Sequence, residues 1–274
     1  MSTAFELLNS HDLPVRGDLH LPAGDGAFPL VITCHGFKGF KDWGWYPPMG
    51  DFLAAQGIAM IRFNYALNGV ETDFLDFTNL ENFGRNTFSR EMDDLKTVFD
   101  AVTAGNIAGL ENVEPDRITL VGHSRGGGNA LVMGAEDDSI KNVVVLNAVA
   151  NFQRSWTEDV REKWRRDGVI YITNARTKQE MPLYYSLYED LEQNAARFDL
   201  CAQAARLSNR LTVIHATDDD AVPVAEGQKL ADAAGIELMQ IANAQHTFNI
   251  VHPFAGFTPE FLQVLEKILA VVQA

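Results

Sequence analysis

A chain of 274 residues with 46% hydrophobic content can bury one large core or two small ones, and none of its apolar runs approaches the roughly 20 residues that a membrane-spanning helix needs. Its 37 acidic and 22 basic residues give a formal charge of −15, which repels nucleic-acid phosphate and anionic lipid and excludes both as expected partners. Two cysteines, Cys34 and Cys201, at no motif spacing suggest neither a disulfide framework nor a zinc site. The opening MSTAFELLNSHDL has no basic patch followed by an apolar stretch, so a cytoplasmic protein is expected.

Taken in order, Phe5 to Leu21 reads as two antiparallel strands. Pro29 to Cys34 is a buried third strand ending at His35-Gly36. Pro47 and Pro48 open a helix that stops near Gly57. Ile58 to Phe63 is the fourth strand, and Arg62-Phe63-Asn64-Tyr65 is read as structural. Residues 68–86 hold aromatics and acids, and a substrate-facing loop is one reading of them. Ser89 is expected to cap a helix with Glu91 and Asp93 in its first turn. The stripe of that helix is Met92, Leu95, Val98, Phe99 and Val102, and Gly105 ends it. Strands follow at Arg117–Val121, Asn142–Leu146, Leu211–His215 and Ile236–Gln240. Thr258-Pro259 begins a last helix with the stripe Phe261, Leu262, Leu265, Ile268 and Leu269. Strands alternating with helices predict an α/β class protein with a mostly parallel central sheet flanked by helices.

One segment breaks the alternation. Residues 151–206 hold nine acidic and nine basic residues, so the rest of the chain carries all of the net charge. Tyr171, Tyr184, Tyr185, Tyr188, Trp156 and Trp164 also lie there. The segment is read as an inserted cap, or lid, on a core of residues 1–150 and 207–274. A set of ordinary core helices is the other reading.

The chemistry concentrates at Arg117 to Gly128, RITLVGHSRGGG. A buried strand runs into G-x-S-x-G and then into a helix through Asn129 to Met133, the context of a nucleophile elbow. Side chains at Gly122 and Gly126 would clash with neighbouring strand or helix. The turn lifts the Ser124 hydroxyl off the sheet and sets the Arg125 N–H at a helix N-terminus, where a developing oxyanion is favoured. The glycines do not fit a phosphate loop, for the Lys-Ser/Thr of that motif is missing. Serine needs a base, and the base an orienting acid. After the elbow, LTVIHATDDDAVP ends a strand with Asp218, Asp219 and Asp220, and His246 and His252 follow the last strand.

These motifs resemble the α/β-hydrolase superfamily over nearly the whole chain. The branch they resemble is that of dienelactone hydrolases and serine-aminopeptidase-like esterases. Members commonly show H-G-x-x-D-x-x-V-P after the seventh strand. His215-Ala216-Thr217-Asp218-Asp219-Asp220-Ala221-Val222-Pro223 matches it with alanine for glycine, which selects Asp219 as the triad acid. The same resemblance selects His246, followed by Thr-Phe, as the base, with His252 as second choice. It makes His123 structural and pointing away from the reaction. It also makes His35-Gly36-Phe37 the oxyanion loop, with the Phe37 N–H as second donor beside Arg125. Lys38, Lys41 and Asp42 are expected on the surface, bracing this loop, and Trp43 and Trp45 at an entrance or in ordinary packing.

The implied activity is hydrolysis of carboxylic esters of a small or medium acyl substrate, an aryl ester among the options, with no metal or organic cofactor. An aminopeptidase of short peptides is the alternative. It needs an acidic cluster for a substrate amine, and Glu189, Asp190 and Glu192 are available. A non-catalytic binding module is the third reading.

Overall fold

Runs of Val, Ile, Leu and Phe suit strands buried on both faces. The computed structural model, which describes residues 2–71, 76–153 and 156–274, gathers most of them in one eight-stranded sheet. The strands are β1 (Ser2–Leu8), β2 (Pro14–His20), β3 (Phe28–Cys34), β4 (Ala59–Asn64), β5 (Val113–His123), β6 (Ile140–Leu146), β7 (Val169–Thr173), β8 (Glu180–Tyr184), β9 (Leu211–Ala216) and β10 (Met239–Ile241). The order is β1-β2-β4-β3-β5-β6-β9-β10, and β7 pairs with β8 in a separate hairpin. β2 runs antiparallel to β1 and β4. From β4 to β10 every pairing is parallel.

The helices are α1 (Tyr46–Ala55), α2 (Leu80–Arg85), α3 (Phe88–Thr103), α4 (Arg125–Glu136), α5 (Glu158–Asp167), α6 (Ser186–Gln193), α7 (Leu200–Leu207), α8 (Val224–Ala234) and α9 (Pro259–Gln273). Successive strand residues serve opposite faces. Leu30 and Ile32 of β3 join the cluster that holds Leu95 and Val98 of α3 and Leu131 of α4. Val31 joins the other, with Met49 of α1 and Phe261 and Leu265 of α9. No helix among the described residues is long and apolar enough to cross a membrane.

Four expectations change in the fold. Thr87 caps α3, its hydroxyl accepting from the Arg90 N–H at 3.4 Å. Ser89 lies within the first turn, where its N–H and hydroxyl donate to Asp190 of α6. In α9, Leu262 is 41% exposed, and Val264 and Val272 complete the buried stripe. β10 starts only at Met239, because the Ile236 N–H turns back to the Ala231 carbonyl and closes α8 through Gly235 at φ 69°. Finally, Lys41 is buried, not on the surface. Its ammonium donates to Asp18 at 2.5 Å and Asp42 at 2.7 Å. Arg62, also buried, pairs with the same two carboxylates and donates to His20.

This cluster joins β2 and β4 to the loop after β3. Removing one partner leaves buried charge uncompensated. Arg62→Met should therefore lower unfolding free energy by about 3–5 kcal/mol, measured by urea denaturation. A loss below about 1 kcal/mol would show the cluster to be solvated.

Residues 151–206 contribute α5, the β7–β8 hairpin, α6 and α7; positions 154 and 155 lie outside the described residues, as do positions 72–75 of the loop considered above. Trp164 is fully buried and donates its indole N–H to the Leu183 carbonyl at 2.7 Å. Trp156, Tyr185 and Tyr188 pack around it. α7 packs against α4 and α8.

Candidate active site

Parallel strands bring their C-terminal ends to one edge of the sheet, the usual place for a site in such a fold. His35 follows β3, Ser124 follows β5, Asp219 follows β9 and His246 follows β10. The turn at Ser124 is forced. Ser124 has φ 57° and ψ −120°, a conformation that L-residues adopt only where the surroundings over-determine it. A Cβ on Gly122 would sit 2.2 Å from the Gly126 carbonyl oxygen, and one on Gly126 2.2 Å from that of Cys34. The chain crosses itself too closely for any side chain at either place.

The loop after β3 presses against this turn: a Cβ on Gly36 would lie 3.0 Å from that of Ser124. The N–H groups of Phe37 and Arg125 have no hydrogen-bond acceptor among the described residues. Arg125 opens α4, so its N–H has no partner within the helix. The Arg125 side chain lies against the Phe37 ring, 4.0 Å from its centroid, and pairs with Glu91 at 3.4 Å. Glu91 is itself buried and accepts from Asn86 at 2.7 Å and Asn129 at 2.8 Å. Glu91 was expected only as a first-turn acid. No spacing in the sequence links it to Arg125; the packing of α3 on α4 does.

Of the three consecutive aspartates, Asp219 is buried and its neighbours are exposed. Its Oδ1 accepts from the N–H groups of Ala221 at 2.9 Å and Val222 at 2.7 Å, and its Oδ2 lies 2.7 Å from His246 Nδ1. Burial alone would raise the Asp219 carboxyl. His246, the Val222 N–H and His215 outweigh it and hold the group below its ordinary value. His246 and Ser124 line one cavity of about 370 Å³, together with Phe37, Trp43 and Tyr46.

His123 does not point away. It lines the same cavity, and its Nε2 donates to the His246 carbonyl at 2.8 Å. Asn147, which follows β6, donates to that carbonyl at 2.8 Å and accepts from the Ala216 N–H at 2.7 Å. Two donors thus fix the backbone that carries His246. Nothing in the sequence singled out Asn147 for this. His252 also lines the cavity, but its Nδ1 accepts from the Gly44 N–H at 3.0 Å. Trp45 is buried against His123 and Phe261 rather than at an entrance. None of Glu189, Asp190 and Glu192 lines the cavity, and Asp190 is held by Ser89.

Burial and the neighbouring His246 push the His123 pKa from 6.5 down to about 3. Between those values the unfolded chain binds a proton that folded His123 refuses, so stability present above 6.5 is lost on acidification. The urea midpoint should fall between about pH 7 and about pH 5, and fall less in His123→Gln. Asp94, raised to about 7 by burial, acts with the opposite sign but is common to both chains. Equal falls would show that His123 is protonated in the folded state.

The sheet order, the strained serine turn and the histidine beyond the last strand define an α/β-hydrolase. The family can be stated as well. The acetyl xylan esterase (AXE1) family model matches residues 4–223, and the chain belongs to that family. It is a hydrolase of the carboxylic-ester class. An Escherichia coli relative, described as an uncharacterized 31.7 kDa protein in the traX-finO intergenic region, is 22% identical over 259 residues, covering 82% of this chain and 86% of its own. Among solved structures, DcsB in complex with its substrate analogue superposes with a TM-score of 0.77 at 14% identity, covering 100% of this chain and 99% of the other. Est1E from Butyrivibrio proteoclasticus gives 0.69 at 16% identity and 99% coverage of both. The same protein has been solved with ferulic acid bound. At these identities the structural likeness speaks for the fold.

Proposed function

We propose that the protein cleaves carboxylic esters through an acyl-enzyme on Ser124, with His246 as base and Asp219 as the acid that orients it. The observation that carries this reading is the 2.7 Å contact of His246 Nδ1 with a buried Asp219, while His246 and Ser124 wall one cavity. With Nδ1–H donated to the carboxylate, Nε2 is left to accept the Ser124 proton as the hydroxyl attacks the acyl carbonyl. The oxyanion is received by the N–H groups of Phe37 and Arg125, already free and held rigid by the Arg125–Phe37–Glu91 packing. His246 then protonates the departing alcohol. Water enters, gives its proton to His246, and releases the acid by the same path.

An acetyl or other small acyl group fits both the family and the cavity volume. An aryl ester draws support from Trp43 and Phe37 on the wall, and from the ferulic acid bound to Est1E. Trp156, Trp164, Tyr185 and Tyr188 give none, because they pack on one another, and Tyr171 and Tyr184 are not among the described residues of the cavity wall. In this reading residues 151–206 cap the core, which is supported by Asn174, Ala175 and Arg176 of the β7–β8 turn on the cavity wall. The protein works on a small-molecule substrate and needs no cofactor.

The test is hydrolysis of p-nitrophenyl esters of graded acyl length and of aryl acetates, with labelling by a fluorophosphonate. Turnover with the label mapped to Ser124 is expected. A chain that neither turns over an ester nor takes the label defeats the reading.

A further inference from the structure

The cavity beside Ser124 carries charge of one sign. Lys38, just after β3, and Arg176, on the β7–β8 turn, both line it, and among the described residues none that lines it is acidic. Acids outnumber bases 37 to 22 in the chain, so a cationic wall runs against the composition. Neither cation has an ion-pair partner among the described residues. Lys38 lies 5.7 Å from the Phe37 ring centroid, and Arg176 5.8 Å from that of Phe40. Partial burial pushes the Lys38 ammonium below its ordinary value. A cation taken partly out of water with no counter-ion is destabilised until an anion arrives.

Among the described residues, the other polar groups near the wall do not supply that anion. His252 accepts from Gly44 at Nδ1, and burial and the nearby Arg176 lower its pKa, so it stays neutral. The triad carboxylate faces away from the cavity: the Asp219 side chain is 0% exposed and both its oxygens are engaged. An incoming carboxylate would meet a guanidinium able to take it with two parallel hydrogen bonds, and an ammonium on the wall of the same cavity.

We propose that the ester cleaved here carries a carboxylate, held by Lys38 and Arg176 while the scissile carbonyl lies at Ser124. This rests on the esterase reading above and adds the substrate class. The carboxylate can belong to the acyl or the alcohol part, and the two are separable. p-Nitrophenyl hydrogen adipate against p-nitrophenyl hexanoate places it on the acyl side at equal chain length. para-Acetoxybenzoate against para-acetoxybenzamide places it on the alcohol side.

In one pair the anion should be preferred by about ten- to hundredfold in kcat/KM, mainly through KM. The ratio should fall toward one in Arg176→Gln, and also in Lys38→Gln. Arg176 is exposed on a turn, so that variant is not threatened in folding. A neutral ester turned over as well as its anionic partner in both pairs overturns the proposal. So does a preference that survives both substitutions. Failure of the esterase reading looks different: no ester of either pair, anionic or neutral, is then hydrolysed, or all are hydrolysed equally well after Ser124→Ala.

Discussion

Ser124→Ala is expected to lower kcat for an acetyl ester by about 10⁴- to 10⁶-fold. The loss is large because the serine supplies the bond that makes the acyl-enzyme, and no other hydroxyl or thiol on the wall replaces it. Thr247 lines the cavity, but its hydroxyl donates to the Ile250 carbonyl at 2.8 Å, and burial holds the Tyr46 phenol well above its ordinary pKa and so un-ionised. Cys34 is buried, and burial pushes its thiol up to about 12. Residual rate would come from the free N–H groups of Phe37 and Arg125. The urea midpoint should move little, since alanine adds no atom to the turn and the strain at φ 57° is present in both chains. A variant that keeps a tenth of the parent activity would place the nucleophile elsewhere.

Asp219→Asn is the second large effect, about 10⁴-fold in kcat. The amide can still accept the Ala221 and Val222 N–H groups through Oδ1, so the loop between β9 and α8 should hold. Its NH₂ would then face His246 Nδ1, which must become an acceptor. The imidazole proton moves to Nε2, and the nitrogen needed as base is blocked. Asp218→Asn and Asp220→Asn should each cost less than about threefold. Both are exposed, and among the described residues the Asp218 carboxylate accepts only from the Thr217 hydroxyl beside it. Measurement of kcat at saturating ester for the three variants checks this. Equal losses would remove the distinction that burial draws among the three.

The elbow was legible because its constraints are local. Gly122 and Gly126 are required by contacts within a few residues or with the adjacent strand end, so composition and spacing announce the turn. The strands were legible from apolar runs, and errors fell at their ends. β10 begins late because α8 claims the Ile236 N–H, a competition that no strand propensity records. Ser89 and Thr87 are both favourable caps by residue type, serine the better; the position of Asp190 on α6 drew Ser89 to another partner. Leu262 reads as a core residue by periodicity, but the helix turns Val264 inward instead.

The α/β order of elements, the serine turn and the candidates Asp219 and His246 behind it can be read from the chain alone. These follow from short-range sterics and from the ordering of motifs along one chain. Tertiary structure alone decided how distant segments meet. It buried Lys41 with Arg62, Asp18 and Asp42 across β2, β4 and a loop. It set His123 and Asn147 on one carbonyl of His246. It brought Lys38 and Arg176, 138 positions apart in the chain, to the wall of one cavity. Their charges are visible in the sequence, but their shared surroundings depend on how the β7–β8 hairpin lies across the sheet edge, and long-range packing fixes that.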